Sequence, residues 1–310
     1  MKVAVTGGTG FVGSVLVEEL LSRGHVVSVL SRGVVDVKFD LDQRPRTKDQ
    51  RVKHHENRES ATYMKGNVIT GEGLDELMEG KDALIHLVGI IREKGDNTFE
   101  AAHHRAVVKV LEAAGRNNID RVLHMSALGT RAGAVSNYHK TKWKGEEAVR
   151  ASGVTWTIFR PSIIFGPRDE FVNMLAKAMK KTPVFPVIGE GRNLMQPVSV
   201  KDVARAYGDA LVEERAIGKV IELGGPDILT FMDIIKKIAQ TLDIKRKYVN
   251  IPVSLIRPFV RLSDALRVPA PISTDQLIML GEDNIVMDTS GMELLGFKFM
   301  KFADGVREYL

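Results

Sequence analysis

The chain of 310 residues predicts an α/β protein, a doubly wound parallel sheet carrying a smaller C-terminal lobe. Three observations predict it. Short apolar runs alternate with helical patterns through the first half, as a parallel sheet covered on both faces requires. A glycine-rich turn joins the first run to the first helical pattern. After Pro167 the alternation loosens into helices and turns, with one return to a strand. Composition agrees: 44% apolar and 27% charged residues are ordinary for a globular protein and exclude disorder, collagen and coiled coil.

The elements follow in order. Residues 3–5 form an apolar run, and Val12, Leu16 and Leu20 then recur on one helix face. Gly24 ends that helix, and 26–30 is a β-branched strand. Residues 83–88 and Arg121–Met125 repeat the strand signal, with 99–114 helical between them, and 155–159 is a further strand. Residues 36–60 are charged and lack apolar periodicity, which reads as a solvated insert. Then come a helix at 171–179 and a Pro/Gly-rich stretch at 182–197. A helix at Val200–Val212, a strand at Lys219–Leu223 and the turn Gly224-Gly225-Pro226 follow. Helices are expected near 230–242, 253–266 and Thr274–Leu280. The sheet domain is therefore assigned to 1–167 plus 198–225, and the second lobe to 168–197 plus 226–310.

Several function classes drop out. With no cysteine there is no disulfide, thiolate zinc site, iron–sulfur ligation or cysteine nucleophile. Apolar runs such as 84–91 fall well short of the roughly 20 residues that span a bilayer. The chain enters its first apolar run without a signal pattern, so a soluble, cytoplasmic protein without a transmembrane segment is expected. The net charge of +5 is mild and interspersed, which suits an anionic small ligand. The pairs His54-His55 and His103-His104 point apart on a helix, and no metal site is expected. Ser126 lacks the glycines of a hydrolase elbow, and no phosphate-binding P-loop sequence occurs. The clusters at Lys177, Lys180 and Lys181 and at 245–247 read as solvated faces, so no nucleic acid is expected. Residues 255–266 mix Arg257 and Arg261 with apolar residues. They read as a helix packed on the second lobe, the alternatives being a membrane surface or an apolar substrate.

The turn Thr6-Gly7-Gly8-Thr9-Gly10-Phe11-Val12-Gly13 fits a dinucleotide phosphate cradle. Such a cradle needs glycines for the tight bend, for close approach of the pyrophosphate and for helix–strand packing. The helix N-terminus then offers free amides and partial positive charge. An acidic residue after the second strand would bind a ribose hydroxyl, but Ser31 and Arg32 stand there instead. They match a 2′-phosphate, so NADP is favoured over NAD. Tyr138 and Lys142 stand four apart on a helix and share a face. The ammonium is expected to lower the phenol pKa and make Tyr138 a general acid/base. Ser126, at a strand end, would hold the substrate oxygen.

The glycine turn, Ser126, the Tyr138-to-Lys142 motif and the run from Arg160 to Pro167 together resemble the short-chain dehydrogenase/reductase superfamily. The likeness is to its extended and atypical forms, which include NAD-dependent epimerases and dehydratases. The segments 86–93, 124–130 and 196–204 are similar to the branch that contains the nucleotide-binding accessory subunit of respiratory complex I. The resemblance implies a Rossmann fold and roles by position. Gly7, Thr9, Gly10, Phe11, Val12 and Gly13 would form the phosphate turn. Asn67 and Val68 would flank the adenine, although relatives often carry aspartate at Asn67. Leu87, Val88 and Gly89, with Pro161 to Ile164, would line the nicotinamide. Ser126, Tyr138 and Lys142 would be the catalytic set, with Lys142 also on the ribose. Relatives often carry asparagine where this chain has Ala102-His103-His104. In the second half, Arg168, Asn173, Arg192 and Arg205 are candidate ligands for a substrate phosphate, such as that of a nucleotide-sugar. Two functions follow: an NAD(P)-dependent oxidoreductase or epimerase acting on a small-molecule substrate, or a non-catalytic NADP(H)-binding assembly or regulatory subunit.

Overall fold

The computed structural model describes residues 1–33, 60–266, 268 and 270–310. The charged insert at 36–60, apart from Ser60, lies outside the described residues. The strands are β1 (Lys2–Thr6), β2 (Val26–Ser31), β3 (Thr62–Lys65), β4 (Ala83–His86), β5 (Arg121–Met125), β6 (Thr155–Pro161), β7 (Ile164–Phe165), β8 (Val184–Ile188), β9 (Leu194–Met195), β10 (Val198–Ser199), β11 (Lys219–Leu223), β12 (Leu229–Thr230) and β13 (Lys247–Ile251). The helices are α1 (Phe11–Ser22), α2 (Leu74–Met78), α3 (Ala106–Arg116), α4 (Asn137–Ala151), α5 (Phe171–Lys181), α6 (Val200–Val212), α7 (Phe231–Thr241), α8 (Val253–Ala265), α9 (Thr274–Leu280), α10 (Ser290–Leu295) and α11 (Phe302–Arg307).

The central sheet has seven parallel strands in the order β11-β6-β5-β4-β1-β2-β3. Because both faces are covered, β4 and β5 are buried at every position rather than alternating. Val3, Val5, Ile85, Leu123 and Phe159 face the layer that holds α1 and α6. Ala4, Leu84, Val122 and Ile158 face the layer that holds α2 and α3. The chain turns back in direction between β1 and β4, and the crevice at the carboxyl ends of these strands is where an α/β sheet takes its ligand.

A third cluster of apolar residues gathers α5, β8, α7 and α11 around Phe165, Phe185 and Phe231. Within it β8 pairs with β13 in parallel. Residues 290–299 return to the sheet instead: α10 packs on β11, and Phe299 joins the core beneath α1 and α6. The helix expected at 99–114 passes through a π turn, Ala101–Arg105, after its first two residues and before α3. Its cause is local packing. Gly145 of α4 lies against the backbone oxygen of His103 so closely that a Cβ there would be 2.2 Å from it. The wider turn accommodates that approach while turning the His103 ring inward.

Candidate functional site

At the glycine turn each residue's size is set by backbone. Gly7 has φ +80°, and a Cβ on it would press on the backbone of Leu87 and Val88 at 3.2 Å. On Gly13 it would meet the Gly7 oxygen at 2.1 Å, and on Gly8 the Val29 side chain at 2.7 Å. Gly10 is different: only the Gly7 oxygen, at 3.2 Å, would be near. The chain is therefore packed behind the turn and open in front of Gly10. The amides of Phe11, Val12 and Gly13 open α1 and have no acceptor within the helix. These features fit a pyrophosphate. Arg168, a candidate for substrate phosphate, instead reaches Ser14 Oγ in the first turn of α1, which brings a guanidinium beside the same helix end.

The second half of the site lies at the ends of β4 and β5. Lys142 is buried and donates from Nζ to the Met125 oxygen at 2.9 Å. It lies against Gly89, where a Cβ would be 2.9 Å from Nζ. Ser126 follows Met125, is buried, and its hydroxyl donates to Thr130 Oγ1 at 3.3 Å. The Tyr138 ring is enclosed edge-on by Phe99 (5.8 Å), His103 (5.1 Å) and His139 (5.2 Å). The glycine turn thus touches Leu87–Val88, and Gly89 touches Lys142, so the candidate phosphate and catalytic residues meet at the carboxyl ends of the central strands.

Electrostatics corrects one expectation. Burial pushes the Tyr138 phenol up to about 12, with no opposing pull from Lys142. Burial also brings the Lys142 ammonium down to about 8, against partial support from Glu146. The two stand on one helix face, yet the Lys142 charge is directed at the Met125 carbonyl. Burial alone sets the direction of the phenol's shift.

Three positioning features escaped the sequence. His103 is buried, and its Nε2 accepts from the Ile90 amide at 3.0 Å. Its ring must then be neutral and protonated on Nδ1, which contacts Thr141 Oγ1 at 3.0 Å. That hydroxyl in turn donates to the Asn137 oxygen at 2.8 Å. His103 so links the loop after β4 to the helix that carries Tyr138. Thr6 Oγ1 contacts His86 Nδ1 at 2.6 Å, and His86 stacks on His124 at 5.5 Å, a polar row across β1, β4 and β5. Asp275 of α9 accepts from the Asn137 amide at 2.5 Å and so holds the first turn of α4 from 138 residues away. The adjacent histidines and the motif helix were visible in the sequence, but not that the fold joins them.

Other candidates are placed as follows. Asn67 turns its side chain to the Ile69 amide at 2.9 Å, and Val68 is buried in the core. Ser31 is buried at the end of β2, and Arg32 beside it is exposed. Pro161 ends β6, Ile164 begins β7, and Ser162 between them donates to Asn284 Oδ1 at 2.5 Å. Asn173 closes its own turn by donating to the Asp169 oxygen at 2.9 Å. Arg192 is exposed, pairs with Glu190 at 3.2 Å, and lines a second-lobe cavity of ≈ 610 Å³ with Asn193, Asn250 and Asp283. Arg205 pairs with Asp209, which also holds Arg23 at the far end of α1, so the structure does not bring Arg205 to the glycine turn. Among the described residues no group of three or more His, Asp or Glu is arranged to hold a metal. Among them too, no helix is long and apolar enough to cross a membrane.

Known proteins are similar to this chain in sequence and in fold. The chain is 30% identical over 305 residues, 97% of its length, to the mitochondrial NADH dehydrogenase [ubiquinone] 1 alpha subcomplex subunit 9 of Arabidopsis thaliana, covering 72% of that protein. It is 30% identical over 255 residues to the ceramide reductase of Caulobacter vibrioides, covering 81% of this chain and 73% of that one. The UDP-glucose 4-epimerase of Thermotoga maritima, solved with UDP-glucose, shares the fold with a TM-score of 0.71. That match spans 99% of this chain and 97% of the other at 18% identity. A family profile matches residues 3–224, from β1 through the turn after β11, and this chain belongs to the NAD dependent epimerase/dehydratase family.

Proposed function

We propose that this chain is an NAD(P)-dependent oxidoreductase or epimerase in which Tyr138 moves a proton on a substrate oxygen. One observation carries the reading: the glycine turn, Gly89 and Lys142 converge where the motif helix meets the sheet. A bound nicotinamide would supply or accept the hydride. The chain's own residues do the rest. Gly10, Phe11 and Val12 hold phosphate through backbone amides, Ser126 holds the substrate oxygen, and Lys142 sets positive charge beside Gly89. With its phenol near 12, Tyr138 stands protonated at neutral pH and is set to act as an acid, giving its proton to a carbonyl oxygen as the carbon gains hydride. The substrate class is a small carbonyl or hydroxyl compound. Nucleotide-sugar and ceramide-type substrates follow from the proteins to which the chain is similar. Ser31 and Arg32 support NADP over NAD, because a guanidinium pairs with a 2′-phosphate and no acid stands at that strand end.

Tyr138→Phe is expected to reduce turnover by about 10²-fold or more and leave cofactor affinity unchanged. Turnover equal to the native protein's would reject the role. Titration of thermal stability should show a larger rise with NADPH than with NADH, since a ligand stabilises the state it binds. Equal rises would reject the preference.

A second reading, a nucleotide-binding assembly or regulatory subunit without turnover, is favoured by the match to a respiratory-complex subunit over 97% of the chain. It expects cofactor to co-purify unchanged. It also expects Tyr138→Phe to be silent, while Gly10→Asp, which sets a carboxylate against the phosphates, removes the nucleotide.

A further inference from the structure

Arg168 is a cation that the packing of the chain does not account for. It stands in the loop between β7 and α5, and that loop lies along the first turn of α1: a Cβ on Gly166 would be 3.3 Å from the Phe11 ring. The loop is pinned from behind by Asp169, which is buried. One carboxylate oxygen of Asp169 accepts from the Val172 amide at 2.5 Å. The other accepts from the Gly166 amide at 3.1 Å and from the Tyr309 hydroxyl at 2.9 Å. The acid next to Arg168 in sequence is therefore engaged with the start of α5 and with Tyr309, while the arginine itself is exposed.

The guanidinium reaches forward to the Ser14 hydroxyl, its one partner among the described residues. Ser14 is neutral and buried, and its own proton goes to the Phe11 oxygen at 3.3 Å. The first turn of α1 holds no acid. A helix N-terminus carries partial positive charge, so a cation beside it is repelled. The amides of Phe11, Val12 and Gly13 and the Arg168 side chain thus gather at one helix end with no anion of the chain to meet them. An anion held between them turns repulsion into attraction on both sides. A guanidinium has several N–H donors and uses one of them on Ser14, so it can take a phosphate oxygen with the others.

We infer that Arg168 pairs with the pyrophosphate of a bound dinucleotide, reaching it from the loop before α5 while Gly10, Phe11 and Val12 hold it through backbone amides. The inference rests on the reading of the glycine turn as the cofactor cradle, and it moves Arg168 from the substrate to the cofactor. The pyrophosphate is common to NAD and NADP, so the contribution of Arg168 does not depend on the 2′-phosphate.

Calorimetric titration of the full chain with NADH and with NADPH tests it. Arg168→Gln should weaken both nucleotides by the same factor, about tenfold. Arg168→Lys should lose less, because it keeps the charge and gives up only the planar fork. Without nucleotide, the thermal midpoint of Arg168→Gln should equal or exceed that of the native chain, since a cation leaves the positive end of α1. Arg215→Gln changes an exposed cation just before the amino end of β11, away from the carboxyl ends of the strands, and should bind both nucleotides as the native chain does. Native affinity in Arg168→Gln would overturn the inference and leave the cradle in place. So would a loss confined to NADPH, which puts Arg168 at the 2′-phosphate, or an equal loss in Arg215→Gln, which reduces the effect to net charge. Binding of neither nucleotide by the native chain would overturn the cradle and this inference with it.

Discussion

His86, His103 and His124 are the residues whose chemistry differs most from what their type suggests. All three are buried at the ends of β4 and β5 or directly against them. Burial, helped by the nearby Lys142 charge, holds His86 down to about 3 and His103 down to about 2, from an ordinary 6.5, and holds His124 well below it. Unfolding returns each to that ordinary value. Below it the unfolded chain takes up protons that the folded chain refuses. Stability is therefore complete above about pH 6.5 and falls as pH drops toward the folded values. Each of the two histidines with a stated value removes about 1.4 kcal/mol per pH unit, so together they should cost about 4 kcal/mol by about pH 5. Denaturant titrations at neutral and acid pH measure this directly, and a flat profile would dismiss it. The sequence shows these histidines but not their burial. Thr6, His86 and His124 sit at the last position or two of three strands, and only strand order and register make them neighbours. The phenol–ammonium pair shows the opposite failure. Its i, i+4 spacing was legible, yet its electrostatics was not, because desolvation belongs to the surroundings and not to the motif.

At the scale of elements, the parallel sheet was largely legible because its central strands are buried on both faces and are mostly apolar. The edge strand β3 was not. Its four residues, Thr62-Tyr63-Met64-Lys65, are polar at both ends and only half-buried between. Helix α2 is five residues long and too short to show a period. The β8–β13 pair lay hidden for another reason: β8 contains Pro186, and β13, Lys-Tyr-Val-Asn-Ile, does not alternate polar with apolar. The π turn at Ala101–Arg105 could not be read from spacing, since it depends on the seating of Gly145 in α4. That seating is testable. Gly145→Ala should destabilise the fold by about 1–3 kcal/mol, because its Cβ would overlap the His103 oxygen. An alanine at exposed Gly115 of α3, where nothing lies near, serves as the control. Equal stability of the two variants would show that the approach yields without cost.

For the molecule as a whole, the loops after β4 and β5 are tied to residues 270–284 at the side where the candidate site lies. Arg92, in the loop after β4, donates to the Ala270 and Pro271 oxygens at 2.5 and 2.8 Å and to Gln276 of α9 at 2.9 Å. Arg131 pairs with Glu282 at 2.9 Å, and Asn284 donates from its side-chain Nδ2 to the Leu128 oxygen at 3.3 Å. Asp275→Ala should cost about 1 kcal/mol, the usual worth of a helix N-terminal acceptor. It should also expose α9 to protease before α1; simultaneous cleavage of the two would reject the tie. None of these ties has a signature in the sequence, because each joins residues more than 130 positions apart. The Asp275 contact also imposes an order in time. A ribosome releasing this polypeptide from its amino end delivers the nucleotide cradle and the tyrosine helix long before the carboxylate that steadies that helix. A nascent chain can thus complete its sheet before the first turn of α4 gains the carboxylate that holds it.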